Sequence, residues 1–105
     1  MKYKIKITDT ADSLLRRIVL VAAENFGNDT ALDKLDYLEK SIMSLADNPY
    51  MGVEPKYNVL RRQGYLILIL EKNLVFYKVD DKKKYVTVYA VVDQRQDYLS
   101  IIRGL

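Results

Sequence analysis

The chain has no cysteine, no histidine and no tryptophan among its 105 residues. Without cysteine it can form neither a disulfide framework nor a thiolate metal site. Without histidine it lacks the commonest zinc ligand and the usual general base near neutral pH. We therefore expect no cofactor and no metal site, and any chemistry would have to use lysine, arginine and tyrosine.

Long hydrophobic runs are also absent. No stretch approaches the roughly 20 apolar residues of a membrane span. The amino terminus, MKYKIKI, alternates lysine with apolar residues and so does not resemble a secretory signal. These features predict a soluble, cytoplasmic protein without a membrane partner, and the length predicts one domain over residues 1–105.

Charge is distributed unevenly along the chain. Residues 1–58 carry 8 Lys/Arg against 9 Asp/Glu, whereas residues 59–105 carry 9 against 5, so the two halves of −1 and +4 add to the net +3. Such asymmetry suggests contact with a nucleic acid or an acidic partner. The alternative for Lys82, Lys83 and Lys84 is that they only solubilise a hairpin turn and discourage edge pairing.

The first half of the chain predicts a strand followed by two helices. Residues 2–8 alternate in the way a strand does, and Thr8 or Asp9 can cap a helix that runs to about Phe26. Gly27 ends that helix, and residues 28–30 (NDT) offer caps for a second one. Pro49 stops the second helix, and residues 47–58 form a loop.

Most of the apolar weight lies in residues 64–93, which predict three strands joined by two polar turns. A short strand over residues 59–62 precedes them, and a short helix starts near Asp97. The order of strand, helical hairpin and antiparallel meander of three to four strands predicts an α+β fold with the helices on one face of the sheet.

The faces follow from the turn between the last two strands. If residues 81–84 form a four-residue loop, the helix-covered side carries six residues: Val75, Tyr77, Val79, Val86, Val88 and Ala90. The opposite side then carries Phe76, Lys78, Thr87 and Tyr89. Because this side is only partly apolar, we predict that Phe76, Lys78 and Tyr89 contact a partner.

Several phrases in this order resemble the RelE/ParE superfamily of bacterial toxins: residues 42–52 (IMSLADNPYMG), 60–65 (LRRQGY), 74–80 (LVFYKVD) and 92–98 (VDQRQDY). The resemblance covers nearly the whole chain. It implies the RelE/ParE-like fold and the toxin of a type II, plasmid stabilisation-type toxin–antitoxin module, which a cognate antitoxin protein holds inactive. ParE-like members inhibit DNA gyrase, whereas RelE-like members are mRNA interferases that cut messenger RNA on the ribosome.

The two branches make different demands on the sequence. Metal-independent cleavage of RNA needs a proton acceptor, cations for the phosphate and an acid for the leaving oxygen. The resemblance offers Arg95 after the last strand, Arg61 and Arg62 upstream, and Tyr98 as the tyrosine. Each has a structural alternative: an exposed edge strand for Arg61 or Arg62, an ion pair with Asp93 or Asp97 for Arg95, and core packing for Tyr98.

Leu66 departs from the RelE-like pattern. Those enzymes place an arginine directly after the Gly-Tyr pair, where this chain has Leu66. With a first hairpin turn at Lys72-Asn73, Leu66 would lie opposite Val79 on the core side, where an arginine would be costly to bury. We therefore favour a ParE-like inhibitor of DNA gyrase, with the ribosome-dependent endoribonuclease as the alternative. A third interpretation is a member that has lost toxicity and keeps only antitoxin binding.

Overall fold

The computed structural model describes residues 2–95. The described part contains a four-stranded sheet and a helical hairpin, joined by a short helix and a 3-10 turn. Along the chain the elements are β1 (Lys4–Ile7), α1 (Asp9–Phe26), α2 (Asn28–Met43), the 3-10 turn (Ser44–Ala46), α3 (Asn58–Arg62), β2 (Leu66–Ile69), β3 (Asn73–Asp80) and β4 (Tyr85–Asp93).

The two long helices begin in different ways. Thr8 caps α1 as predicted, because its side chain accepts a hydrogen bond from the backbone N–H of Ala11. Gly27 then separates the helices at φ 89°, a conformation that glycine adopts without steric cost. The expected side-chain cap of α2 was wrong, since the capping position is Gly27 itself and no side chain bonds to the helix end.

The sheet has the strand order β1-β4-β3-β2. Strands β2, β3 and β4 form the predicted antiparallel meander, and β1 pairs with β4 in parallel. A parallel pair needs a long crossover. Both helices and the strands β2 and β3 lie between β1 and β4 in the chain.

The two hairpin turns differ in how well the sequence predicted them. Residues 81–84 form the expected four-residue loop, with Asp80 paired to Tyr85. The first turn is Glu71-Lys72, closed by the Leu70 N–H on the Asn73 carbonyl, so the expected Lys72-Asn73 turn was wrong. Leu66 consequently pairs with Tyr77 rather than Val79. The two-residue shift leaves Leu66 on the predicted side of the sheet.

A β-bulge lies in the pairing of β3 with β4. Tyr77 pairs with Val88, but Phe76 pairs with Ala90, so β4 contributes one extra residue at this point. Beyond the bulge the faces of β4 are exchanged. Ala90 therefore packs beside Phe76 and Val92 on the side opposite the helices, and its predicted place in the helix-covered core was wrong.

Residues 58–62 form the short helix α3, which corrects the strand predicted over residues 59–62. Only Leu60 of this helix is buried, and it packs against the open side of the sheet. The preceding loop is fixed to the free edge of β2 by a bridge between Val53 and Ile67.

The sheet has a core on each side. The larger core joins α1 and α2 to the sheet through eleven buried residues: Ala11, Leu15, Leu38, Ile42, Leu45, Leu68, Val75, Tyr77, Val86, Val88 and Val91. A smaller cluster lies under α3 and includes Leu60, Tyr65 and Ile67. The α+β class and the order of strand, helical hairpin and meander are confirmed, and the predicted C-terminal helix lies outside the described residues.

Candidate functional site: the open face of the sheet

The part of the sheet that the helices and α3 leave uncovered carries a row of polar side chains. Lys6 of β1 and Lys78 of β3 both lie opposite Thr87, which occupies the strand between them. With strands about 4.8 Å apart, the two lysine backbones are roughly 10 Å from each other. Lys4 lies beside Tyr85 at the next level of the same face. We call Lys4, Lys6, Lys78, Tyr85, Thr87 and Tyr89 the basic face.

Tyrosine rings hold the lysine ammonium groups of this face. The Lys6 Nζ lies 3.9 Å from the centre of the Tyr85 ring. The Lys78 Nζ lies 4.5 Å from the Tyr65 ring and 5.1 Å from the Tyr89 ring. Such cation–π contacts are attractive and fix the position of an otherwise flexible cation. The basic face is therefore partly preorganised.

Tyr65 and Tyr89 also contact each other. Their ring centres are 5.5 Å apart at an angle of 84°, an edge-to-face pair. Burial raises the pKa of the Tyr65 phenol, and the neighbouring Tyr89 adds to the shift. Both effects favour the neutral form of the Tyr65 phenol.

The structure separates the three residues that we predicted to contact a partner. Lys78 and Tyr89 are half-buried and lie together on the basic face. Phe76 is completely buried in the cluster beneath α3, so its ring is not at the surface. Phe76 therefore supports this face from below, and its predicted contact with a partner stays a prediction.

The arginines proposed for catalysis lie at opposite ends of the sheet. Arg61 and Arg62 are exposed on α3, just before β2, whose first residue is level with Tyr77 and Val88. Arg95 follows the far end of β4, seven residues beyond Val88. At about 3.3 Å per residue, Arg95 lies roughly 20 Å along the strands from the start of β2, where Arg61 lines a pocket with Leu66.

The local contacts of these arginines are structural. The Arg61 guanidinium donates a hydrogen bond to the Asn58 side chain within α3. Arg95 donates its backbone N–H to Asp93 at 2.8 Å and pairs with the same carboxylate through Nε at 3.4 Å. The Arg95 N–H is the main reason that the pKa of Asp93 is lowered. Tyr98, the fourth catalytic candidate, lies outside the described residues.

Leu66 lies on the predicted side of the sheet, although it pairs with Tyr77 rather than Val79. It is half-buried and packs against the helix-side core. It also lines a small pocket of about 250 Å³ together with Tyr50, Arg61 and Val79. The arginine expected at this position in a RelE-like enzyme is therefore replaced by a core contact.

A larger groove of about 820 Å³ lies between the helical hairpin and the end of the sheet that carries Arg95. Its apolar lining includes Val21 and Phe26 of α1 and Tyr37 of α2. Phe26 is 73% exposed. Charged residues of both signs surround this lining: Arg17, Asp33, Lys34, Glu71, Lys72, Asp93 and Arg95. The groove can accept an amphipathic segment.

A cluster of two tyrosines and one carboxylate fastens the opposite end of the molecule. The Tyr3 hydroxyl donates to Asp81 Oδ1 at 2.6 Å, and the Tyr50 hydroxyl donates to Asp81 Oδ2. Hydrogen bonds from Tyr3 and then Tyr50 lower the pKa of Asp81. The same bond to Asp81 is the main reason that the pKa of Tyr50 rises to about 12. We call these three residues the Asp81 clasp.

The sequence did not identify four residues of this region as functional: Lys4, Lys6, Tyr65 and Tyr85. The alternation of lysine in MKYKIKI gave a signal, since it placed the lysines on one side of a strand. Their position beside Lys78 depends on the parallel pairing of β1 with β4, which no local pattern indicates.

Among residues 2–95, no group of three or more acidic side chains is close enough to hold a metal ion. Within the same range, no helix has the length and apolar character needed to cross a membrane.

The fold is similar to that of several solved toxin structures from toxin–antitoxin systems. The chain is similar to a chromosomal ParDE toxin–antitoxin structure from P. aeruginosa, with a TM-score of 0.73 and 18% identity over 88% of this chain and 96% of that one. It is also similar to the RelBE2 toxin–antitoxin complex of Mycobacterium tuberculosis, with a TM-score of 0.68 and 16% identity over 90% and 100%. The chain is similar as well to a mutant E. coli RelE toxin in the free state, with a TM-score of 0.62 and 16% identity over the full length of both chains.

The family model described as "ParE toxin of type II toxin-antitoxin system, parDE" matches residues 5–98. The chain therefore belongs to the ParE toxin family of type II toxin–antitoxin systems. No curated protein sequence gives a significant match.

Proposed function

We propose that this toxin blocks growth as a ParE-like inhibitor of DNA gyrase. The observation that carries the proposal is the position of Leu66 and the arginines. Leu66 packs against the core where a RelE-like enzyme needs a cation, and Arg95 lies roughly 20 Å along the strands from Leu66 and the small pocket that Arg61 lines. A binding inhibitor needs a shaped surface but no assembled catalytic group, so this arrangement suits it.

The same proposal includes a cognate antitoxin as the second partner, in the bacterial cytoplasm. The groove beside the helical hairpin is the surface that fits it, because it combines an apolar lining with charges of both signs. An amphipathic helix lays its apolar face into such a groove. Phe26, exposed on the groove wall, is the anchor for that face.

The decisive experiment is a plasmid supercoiling reaction with purified bacterial gyrase, ATP and the purified toxin. We expect supercoiling to fall and gyrase-cleaved linear plasmid to accumulate as toxin is added. A parallel cell-free translation reaction with pre-made messenger RNA should keep its messenger intact. Unchanged gyrase activity together with new ribosome-dependent ends, mapped by primer extension, would reject the proposal.

The antitoxin part of the proposal has its own test. Phe26→Ser should abolish rescue by the antitoxin encoded beside the toxin gene, while toxicity without antitoxin is retained. Leu20→Ser is the matched control, because Leu20 is 63% exposed on the same helix but does not line the groove. Rescue of the Phe26→Ser variant at wild-type antitoxin levels would exclude this groove as the docking site.

The second candidate is a ribosome-dependent, metal-independent mRNA endonuclease. One observation favours it: the Lys78 ammonium sits between two tyrosines on an open sheet face, where it could stabilise phosphate charge. In this case Lys78→Ala and Arg61→Ala/Arg62→Ala would abolish messenger cuts in the translation reaction. Such cuts are expected to be absent from the wild-type reaction if gyrase is the target.

A further inference from the structure

The basic face has the composition of a phosphate-binding surface. Lys6, Thr87 and Lys78 form one row across three adjacent strands, so two ammonium groups flank one hydroxyl. Lysine and threonine side chains contact phosphate oxygens, whereas readout of bases relies on groups such as arginine, asparagine and glutamine. None of the six residues that define the basic face belongs to those three types.

Tyrosines border the row on both sides along β4. Tyr85 and Tyr89 stand two residues before and after Thr87, and therefore on the same side of the strand ahead of the bulge. Their rings hold the two ammonium groups near the sheet, which limits the entropy lost when an anion binds. Aromatic rings beside a cationic track also suit a polynucleotide, whose sugars and bases can rest on them.

The two carboxylates at the turn between β3 and β4 are engaged in other contacts. Asp80 pairs with Tyr85 at the margin of the face, but its Oδ1 accepts the backbone N–H groups of Lys82 and Lys83 at 3.1 and 3.0 Å. Asp81 is bound in the clasp by two tyrosine hydroxyls. Among the described residues, no salt bridge pairs Lys6 or Lys78 with a carboxylate.

We propose that the basic face binds the phosphodiester backbone of nucleic acid without sequence preference, through Lys6, Lys78 and the Thr87 hydroxyl. This activity belongs to the toxin alone and goes beyond inhibition of gyrase. It would hold the toxin close to any target that carries DNA or RNA. It also uses neither Arg95 nor the arginines of α3.

The test is fluorescence anisotropy with the purified full-length toxin and labelled 20-nucleotide probes. Single-stranded RNA, single-stranded DNA and duplex DNA of one sequence identify which nucleic acid is bound. We expect binding that weakens steeply with salt. Lys6→Gln/Lys78→Gln should weaken it about tenfold and should lower the salt slope by about two, as expected for the loss of two phosphate contacts.

The matched control is Lys82→Gln/Lys83→Gln, which removes the same charge from the exposed turn between β3 and β4. Binding by this control should stay within about twofold of wild type. The proposal is overturned if no probe binds, if both double variants weaken binding equally, or if polyglutamate competes as well as nucleic acid does. Because gyrase, ribosome and antitoxin are absent, none of these results depends on the proposed growth target.

Discussion

Of the three glycines in the described residues, Gly52 is the one with no space for a side chain. A Cβ atom at this position would lie 2.5 Å from the Tyr77 hydroxyl oxygen and 2.7 Å from the Ile67 carbonyl oxygen. The close approach exists because the Gly52 N–H donates to the Tyr77 hydroxyl at 3.0 Å. Glycine here fixes the loop before α3 against the sheet edge.

We therefore expect Gly52→Ala to destabilise the protein by about 1–3 kcal/mol, the usual cost of forcing an extra methyl into a packed site. Urea unfolding followed by circular dichroism measures this cost. Tyr77→Phe/Gly52→Ala should recover only part of it, because the Ile67 backbone oxygen remains in place. A Gly52→Ala variant as stable as wild type would contradict the geometry of this loop.

The Asp81 clasp predicts a dependence on alkaline pH. The pKa of Tyr50 is raised to about 12, so its neutral form is favoured by folding. The stability that this bond contributes is complete below the ordinary tyrosine pKa of about 10 and is lost as the pH rises toward about 12. The depressed pKa of Asp81 acts at the other extreme. Its contribution is present above the ordinary aspartate pKa and is lost as the pH falls through the depressed folded value.

Absorbance of tyrosinate near 295 nm, recorded during alkaline titration, tests the Tyr50 prediction. Tyr50→Phe should remove one late-titrating tyrosine and lessen the loss of stability in the alkaline range. Tyr57→Phe, a change in another exposed tyrosine of the same loop, should leave the late transition intact. If the titration of the Tyr50→Phe variant differs from wild type only near pH 10, the hydrogen bond to Asp81 is not formed in solution.

At the scale of single elements, α1 depends on its first turn. Thr8 accepts the Ala11 N–H at 3.1 Å, and its hydroxyl lies 3.4 Å from the Tyr89 carbonyl at the bulge of β4. Thr8→Ala should cost about 1 kcal/mol, as other lost N-caps do. Thr8→Ser should restore most of that stability in urea unfolding. Thr10→Ala, in the exposed first turn of the same helix, is the control and should change stability by less than about 0.5 kcal/mol.

The elements that the sequence predicted correctly are those with local signals. Thr8 and Gly27 bound α1, and a polar loop at residues 81–84 joins two alternating strands. The sequence pattern failed where packing between distant parts of the chain determines the secondary structure. Residues 58–62 are helical because Leu60 packs on the sheet. The strand was predicted over residues 59–62, a stretch of two apolar and two basic residues that is too short for its period to distinguish a helix from a strand.

The β-bulge shows the same limit when the sequence pattern is used to predict which face of the sheet a residue occupies. Alternation predicts that every second residue of β4 faces the helices, and this holds for Val86 and Val88. The extra residue at Tyr89 places Ala90 on the other side, yet nothing in VYAVV marks a bulge. The candidate site is affected in turn, since Phe76 is buried together with its strand neighbours Ile67 and Ala90 and with Leu60 of α3.

At the scale of the whole molecule, the separation of the arginines bears most directly on function. Sequence order places Arg61 and Arg62 before the meander and Arg95 after it, which suits many different arrangements in space. Only the register of three strands shows that they lie at opposite ends of the sheet. The opposite holds for Lys6 of β1. It is far from Lys78 in sequence, yet the two lysines lie on the same face of the sheet.

Leu66→Arg tests this arrangement. Leu66 packs against the helix-side core, so an arginine should destabilise the toxin by about 1–3 kcal/mol through burial of a polar group. We expect no messenger cleavage by this variant in cell-free translation, because Arg95 would still lie roughly 20 Å from the new cation along the strands. Leu66→Met, which keeps volume and apolar character, should retain wild-type stability within about 1.5 kcal/mol.

Primer extension and urea unfolding on the same two variants separate the possible results. A folded Leu66→Arg toxin that leaves the messenger intact would mean that one cation does not complete a catalytic site on this sheet. Ribosome-dependent cuts that appear with Leu66→Arg and are absent with Leu66→Met would instead mean that the remaining groups are already placed for RNA chemistry. The distance between the two ends of the sheet favours the first result, since catalysis requires its groups to converge on one phosphate.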